Sequence, residues 1–172
     1  MSRAKLAVAV VLVAVVALIA LDAAGRINVA PQGGGGEKAP DFTLKDIYGN
    51  EFSLSDFRGK VVILDFFTIR CAPCKEQVRE LKEVLAEYGG QVVIISISVD
   101  PGDTDEALRA YAVENGMTWK VARDTARLAD KYHITAVPTL VLIDKEGYIR
   151  HRHVGLTDSE VLIEEVGELL GS

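Results

Sequence analysis

Cysteine is scarce in this chain, with 2 in 172 residues. That is too few to staple a disulfide-held mini-protein, so packing must hold the core. A chain of this length can bury one, as a single ordinary domain with a short appendage. Methionine is equally sparse at 2 residues, and no Met-rich stretch offers soft ligands for copper. Basic side chains are outnumbered, 19 Lys and Arg against 25 Asp and Glu, for a net charge of −6 and a pI of about 5.1. They do not cluster, so a surface for nucleic-acid phosphates is excluded. No Gly-x-Gly-x-x-Gly run or phosphate loop is present, and no nucleotide or flavin is implied. No segment repeats. What is present is 49% hydrophobic and 26% charged, which rules out disorder throughout.

Part of the apolar content is concentrated at the N-terminus, where Arg3 and Lys5 precede 16 uninterrupted apolar residues, Leu6 to Leu21, closed by Asp22. As a helix that run is about 24 Å long, slightly short of a hydrocarbon core. Its flanks extend it enough to span with snorkelling ends. Its uniform Val, Ala and Leu composition has no polar face for a buried core helix to turn outward. Residues 1–25 therefore read as a membrane anchor. A cleaved signal peptide is the rival, with a small-residue stretch at Ala23–Gly25. Both place the following domain outside the cytoplasm, because Arg3 and Lys5 hold the N-terminus inside. No cysteine follows the run for a lipid anchor. Residues 26–37 read as a Gly-rich tether built on Gly33 to Gly36. With Arg3, Lys5, Arg26 and Asp22 set aside, Glu37 onward carries 16 basic and 24 acidic side chains. That surplus keeps the domain soluble and off anionic headgroups, as a monomer.

Ala39–Leu44 alternates, and Tyr48-Gly49-Asn50 turns the chain into Glu51–Ser53, predicting a small hairpin. Ser53–Phe57 predicts a helical turn ending at Gly59. Val61–Phe67 is nearly all apolar, the mark of a strand buried on both faces. Cys74, Val78, Leu81, Leu85 and Tyr88 then fall at helical spacing up to Gly89-Gly90. Val92–Val99 predicts a second buried strand, and Asp103 or Thr104 caps a helix ending near Asn115-Gly116. Trp119–Val121 predicts a strand and Thr125–Tyr132 a short helix. Thr139–Ile143 and Tyr148–Val154 predict a hairpin. Thr157 is expected to cap a last helix with Val161, Leu162, Val166, Leu169 and Leu170 as its apolar stripe. A right-handed βαβ unit joined to an antiparallel hairpin gives an α/β fold with a mixed sheet covered on both faces.

Both cysteines sit in Cys71-Ala72-Pro73-Cys74, directly after a buried strand and at a helix start. One helical turn apart, the two sulfurs can close a disulfide. The first sulfur faces unpaired backbone N–H groups and the positive end of the helix dipole, which lowers its pKa below that of a free thiol. Cys71 is thus the expected exposed nucleophile and Cys74 the buried resolving thiol. Pro73 stiffens the turn at a position that needs no N–H. A purely structural disulfide would close a four-residue loop and remove little chain entropy. A zinc site would need two more ligands from His133, His151 and His153, of which the last two alternate on one strand and fit a solvated edge equally well. No metal is expected.

Val61 to Lys75, through Asp65 and the Cys71–Cys74 turn, resembles the active-site strand and helix of the thioredoxin superfamily. Ala136-Val137-Pro138-Thr139 resembles its cis-proline loop. Residues 38–172 are thereby read as a thioredoxin-like domain. The Ala39–Leu44 segment and the extra helix between the two motifs are similar to membrane-anchored TlpA-type thiol–disulfide oxidoreductases, and also to the related peroxiredoxins. The resemblance implies that Asp65 relays protons for the resolving thiol. Burial alone would raise its pKa, unless it pairs with a nearby Lys. It implies that Pro138 is cis and packs against the disulfide, and that Val137 pairs its backbone with an extended substrate segment. A trans-proline opening an edge strand is the alternative.

Two positions depart from the pattern. Arg70 stands where the family usually has Trp, and either lowers the thiolate pKa further or points into solvent. Gln77 stands where TlpA-type proteins often carry Glu, with Glu76 on another face and no role assigned to it. The resulting expectation is a membrane-tethered, extracytoplasmic thiol–disulfide oxidoreductase with protein thiols and disulfides as partners. A membrane redox protein would recycle it, and no cofactor beyond the Cys71–Cys74 disulfide is needed. A peroxidase with Cys71 as peroxidatic residue is the alternative. Thr68 fits its Thr-x-x-Cys pattern, but Leu64 replaces its usual Pro.

Overall fold

Strand β3 (Val61–Phe67) is buried at all seven positions, which its unbroken apolar sequence requires of a central strand. It pairs in parallel with β4 (Val92–Ser98) on one side and antiparallel with β6 (Thr139–Ile143) on the other. Beyond them lie β5 (Lys120–Arg123), parallel to β4, and β7 (Ile149–Val154), antiparallel to β6, giving the order β5-β4-β3-β6-β7. This is the mixed α/β sheet that the resemblance implies. The computed structural model describes residues 36–171. The expected anchor at 1–25 and the tether up to residue 35 lie outside the described residues. Among those described, no helix is long and apolar enough to cross a membrane.

Alternation along β3 divides the core. Val62, Leu64 and Phe66 pack against Phe42, Leu44, Phe52 and Leu54 of the N-terminal hairpin, and against Leu128 and Tyr132. That hairpin is β1 (Thr43–Lys45) and β2 (Glu51–Ser53). On the opposite face Val61 and Ile63 meet Leu81 and Val84 of α1 (Ala72–Tyr88), and Leu162 and Val166 of α4 (Ser159–Gly171). Each such side chain fully withdrawn from water contributes about 1.5–3 kcal/mol. A third cluster joins Phe67 and Cys74 to Leu108 and Ala112 of α2 (Asp105–Asn115) and to Ile47 and Val121. The Thr104 hydroxyl caps α2 by accepting from the Ala107 N–H at 3.2 Å. Gly116 ends it in the left-handed region that a side chain disfavours.

Several boundaries differ from the sequence expectation for local reasons. The helix expected over Thr125–Tyr132 is one turn, α3 (Leu128–Lys131). Arg127 before it is left-handed, and the Asp124 carboxylate takes up the N–H groups of Leu128 and Ala129 at 2.6 and 2.8 Å. Trp119 stands outside β5, which starts at Lys120. Thr157 does not cap α4. Its hydroxyl turns back to the Gly155 carbonyl, and the Ser159 N–H is taken by Glu80 of α1 at 2.8 Å. Val161, expected in the apolar stripe, is exposed.

One face of α1 thereby holds the start of α4. The fully buried Gln77 accepts from the Thr157 N–H at 2.9 Å and donates to the Thr157 carbonyl at 3.1 Å. Three turns further on, the Tyr88 hydroxyl donates to the Ile163 carbonyl at 2.8 Å. Gln77→Glu would exchange a donor for a buried carboxylate facing a carbonyl. It should destabilise the domain by about 2–4 kcal/mol at pH 8, and by less in acid, where a protonated Glu regains a donor. Urea unfolding at both pH values measures this, and an unchanged midpoint would show that the clamp is dispensable.

Candidate active site

The Cys71–Cys74 pair lies where β3 hands the chain to α1, and the two sulfurs are joined in a disulfide with Cα atoms 5.2 Å apart. Cys71 is the N-cap of α1, with its sulfur accepting the Cys74 N–H at 3.2 Å. Pro73, at a position that needs no N–H, is exposed together with Ala72. Cys71 is partly exposed, whereas Cys74 is only 1% exposed and packs with Phe67, Leu108 and Ala112. The pair is therefore chemically unequal: one sulfur is reachable at a helix N-terminus and the other is sealed beneath it. Across the site the Val137–Pro138 peptide is cis, and the Val137 carbonyl oxygen lies 3.7 Å from Cys71 Sγ.

Asp65 is 1% exposed on β3, one alternation before Phe67 and hence on the face that carries Cys74. Loss of water pushes its pKa up to about 7, against the opposing bond from Ser96. Its Oδ2 accepts from the Ser96 hydroxyl at 2.7 Å, so its partner is a neutral side chain and not the Lys that the sequence left open. Ser96 in turn accepts from Trp119 Nε1 at 2.9 Å. Tyr111 of α2 lies against Phe67, and burial followed by the Asp65 charge pushes its pKa up to about 12.

The site can therefore do dithiol–disulfide chemistry, with a buried, readily protonated acid on the same face of β3 as Phe67, which packs with the inner cysteine. A protein-family model, the AhpC/TSA family, matches residues 35–152 of this chain. The chain belongs to the AhpC/TSA family. It is 33% identical over 126 residues to the thiol-disulfide oxidoreductase ResA of Geobacillus kaustophilus, covering 73% of this chain and 72% of that one. It is 30% identical over 121 residues to the thioredoxin-like protein YneN of Bacillus subtilis, covering 70% and 71%. A crystal structure described as a thiol:disulfide interchange protein DsbE from Chlorobium tepidum superposes with a TM-score of 0.72 at 29% identity, covering 79% of this chain and 97% of that one. This AhpC/TSA member is a thioredoxin-superfamily thiol–disulfide oxidoreductase of the TlpA/ResA type.

The two departures from the family pattern have structural answers in this AhpC/TSA protein. Arg70 is 74% exposed and paired with Asp100, so its charge is matched by a carboxylate beside the site. Asp100 is held below the usual carboxylate range by the Gly102 N–H and then by Arg70. Gln77 serves the α1–α4 clamp, and Glu76 pairs on the surface with Arg79. His151 and His153 belong to no group of three or more metal-ligating side chains among the described residues. They stack on β7 and share the Glu165 carboxylate, at 3.1 and 2.8 Å. His133 is exposed.

Sequence reasoning missed Ser96, Trp119 and Tyr111 around Asp65. It also missed that Asp103 braces the site loop by accepting from the Ile69 N–H at 3.2 Å and the Ser98 hydroxyl at 2.5 Å. The usable signal was two serines, Ser96 and Ser98, in the otherwise apolar run Val92–Ser98.

The raised Asp65 pKa links stability to pH. Between pH 3.8 and about 7 the folded protein keeps a proton that the unfolded chain has lost. Stability therefore falls as pH rises through that window, by up to about 1.4 kcal/mol per pH unit. Asp65→Asn removes the slope. The variant should gain on the parent steadily from about pH 4 to 7 and no further above, as read by urea unfolding of the oxidised forms. Parallel stability curves would show that Asp65 is ionised throughout.

Proposed function

We propose that this protein is an extracytoplasmic, membrane-tethered enzyme that exchanges disulfides with partner proteins through Cys71 and Cys74. The observation that carries this reading is the inequality of the two sulfurs: an accessible one at the start of α1, 3.7 Å from a backbone carbonyl, and a buried one behind it. In the reducing direction the Cys71 thiolate attacks a partner disulfide. A mixed disulfide forms, and the partner's first sulfur leaves as a thiolate. Cys74 then gives its proton to Asp65 and attacks Cys71 Sγ, closing the intramolecular disulfide and releasing the second partner thiolate. Two electrons pass to the partner, and the two released thiolates take up protons. The reverse sequence oxidises a partner dithiol.

Val137, beside Pro138, offers backbone groups to an extended partner segment. The helix N-terminus stabilises the Cys71 thiolate, while the Ala72-Pro73 turn leaves it reachable. The redox-active disulfide serves as the only cofactor. The apolar segment Leu6–Leu21 behind Arg3 and Lys5 supports the tether and an N-in orientation, with a membrane redox protein returning electrons to the site. The domain works as a monomer. The family match favours one second reading, a thiol peroxidase in which Cys71 becomes a sulfenic acid.

Trapping separates the two. Cys74→Ser should accumulate a stable mixed disulfide between Cys71 and a disulfide-bonded peptide, and Cys71→Ser should form none. If the full chain consumes hydrogen peroxide at least about 100-fold faster than it exchanges disulfides, the peroxidase reading replaces this one. The equilibrium potential sets the direction: a value near about −270 mV makes the site a reductant, and one near about −120 mV a disulfide donor.

A further inference from the structure

The hydrogen bonds behind Asp65 have a direction that the atoms themselves dictate. An indole N–H can only donate. The Trp119 Nε1 to Ser96 Oγ contact at 2.9 Å therefore makes the Ser96 oxygen an acceptor. Its hydroxyl proton is then left for Asp65 Oδ2, 2.7 Å away. Ser96 is Asp65's register partner across the β3–β4 pair, so this bond runs sideways within the sheet. Asp65 Oδ1 is buried and, among the described residues, has no hydrogen-bond partner. Across the other neighbouring strand stands Leu140, which has no polar side-chain atom to offer. The Asp65 charge is felt by Tyr111 on α2, and Cys74 on α1 packs against Phe67, which lies on the same face of β3 as Asp65.

We propose that Trp119, acting through Ser96, is a positioning residue that reserves Asp65 Oδ1 as the one oxygen able to take up and return the Cys74 proton. Oδ2 is occupied by a hydroxyl that cannot turn away to accept, because its other partner among the described residues is the donor-only indole and its proton would be left without an acceptor. A proton arriving at Asp65 is thus confined to Oδ1. The fixed donor also favours the carboxylate over the acid, which keeps Asp65 from being trapped in its protonated form by burial. Without the indole, Ser96 is free to reverse, accept a proton held on Oδ2 and stabilise the neutral acid there. The inference rests on the reading of Asp65 as the proton acceptor for Cys74.

The test uses the full chain in detergent, with the Asp65 carboxyl followed by carbon-13 NMR across pH in the oxidised form. Trp119→Phe keeps an aromatic ring and removes the N–H, while Ser96→Ala removes the relay. Each should raise the Asp65 midpoint by roughly half a pH unit or more. In the double variant, Trp119→Phe should add nothing to Ser96→Ala, because the indole has no other route to the carboxyl. The same midpoints should appear in the pH profile of the step in which Cys74 displaces glutathione from Cys71. An unmoved midpoint in Trp119→Phe overturns the proposal, as does a shift that persists undiminished in the Ser96→Ala background. Asp65→Asn separates the two layers. If it leaves the pH profile of glutathione displacement unchanged, the proton-acceptor reading falls and takes the proposal with it. If it abolishes the profile while Trp119→Phe and Ser96→Ala do not shift it, only the proposal falls.

Discussion

Because β3 runs through the middle of the five-stranded sheet, with strands on both sides and helices or the hairpin over its faces, every side chain on it is withdrawn from water. For Val61 to Leu64 and Phe66 to Phe67 that is a gain. For Asp65 it is a cost that no charged partner offsets, and the cost appears as a raised pKa. The same strand delivers the chain to the first turn of α1, where backbone N–H groups are unpaired. One short stretch therefore sets a donor-rich place for one sulfur and a dry place for a carboxylate.

The surrounding structure keeps these two environments apart. Asp103 grips the Ile69 N–H from the β4–α2 connection, and Arg70 pairs with Asp100 of the same connection, so the approach to Cys71 is held from one side. The Val137 carbonyl closes on Cys71 from the other. Below them Cys74 is sealed by residues of three different elements. The chemical inequality of two identical residues is thus a matter of what covers each one.

Gln77 illustrates how a relative's pattern and this chain's packing can differ at one position. TlpA-type relatives often place a carboxylate there. Here an amide both donates to and accepts from the backbone of Thr157, work that a carboxylate cannot do. Glu76, one residue earlier, faces outward to Arg79. The buried carboxylate of this region is Asp65, hydrogen-bonded to Ser96, which in turn accepts from Trp119.

Elements whose signal is local were legible in the chain. The apolar run Val61–Phe67, the 3.6-residue spacing from Cys74 to Tyr88 and the turn before β7 each specify their own conformation, because the information lies within one element. The Cys-x-x-Cys spacing likewise announced its chemistry. Matters that depend on residues far apart in the chain were settled by the folded packing. Thr157 looked like a helix cap until Gln77 and Glu80, about 80 residues earlier, took the backbone N–H groups around it. Asp65 invited a lysine partner until the β3–β4 register put Ser96 beside it. Trp119, 23 positions from Ser96, reaches it only because β4 and β5 lie side by side. Hydrogen-bond partners of a buried polar group are chosen by strand register and helix packing, and no window of local sequence contains either.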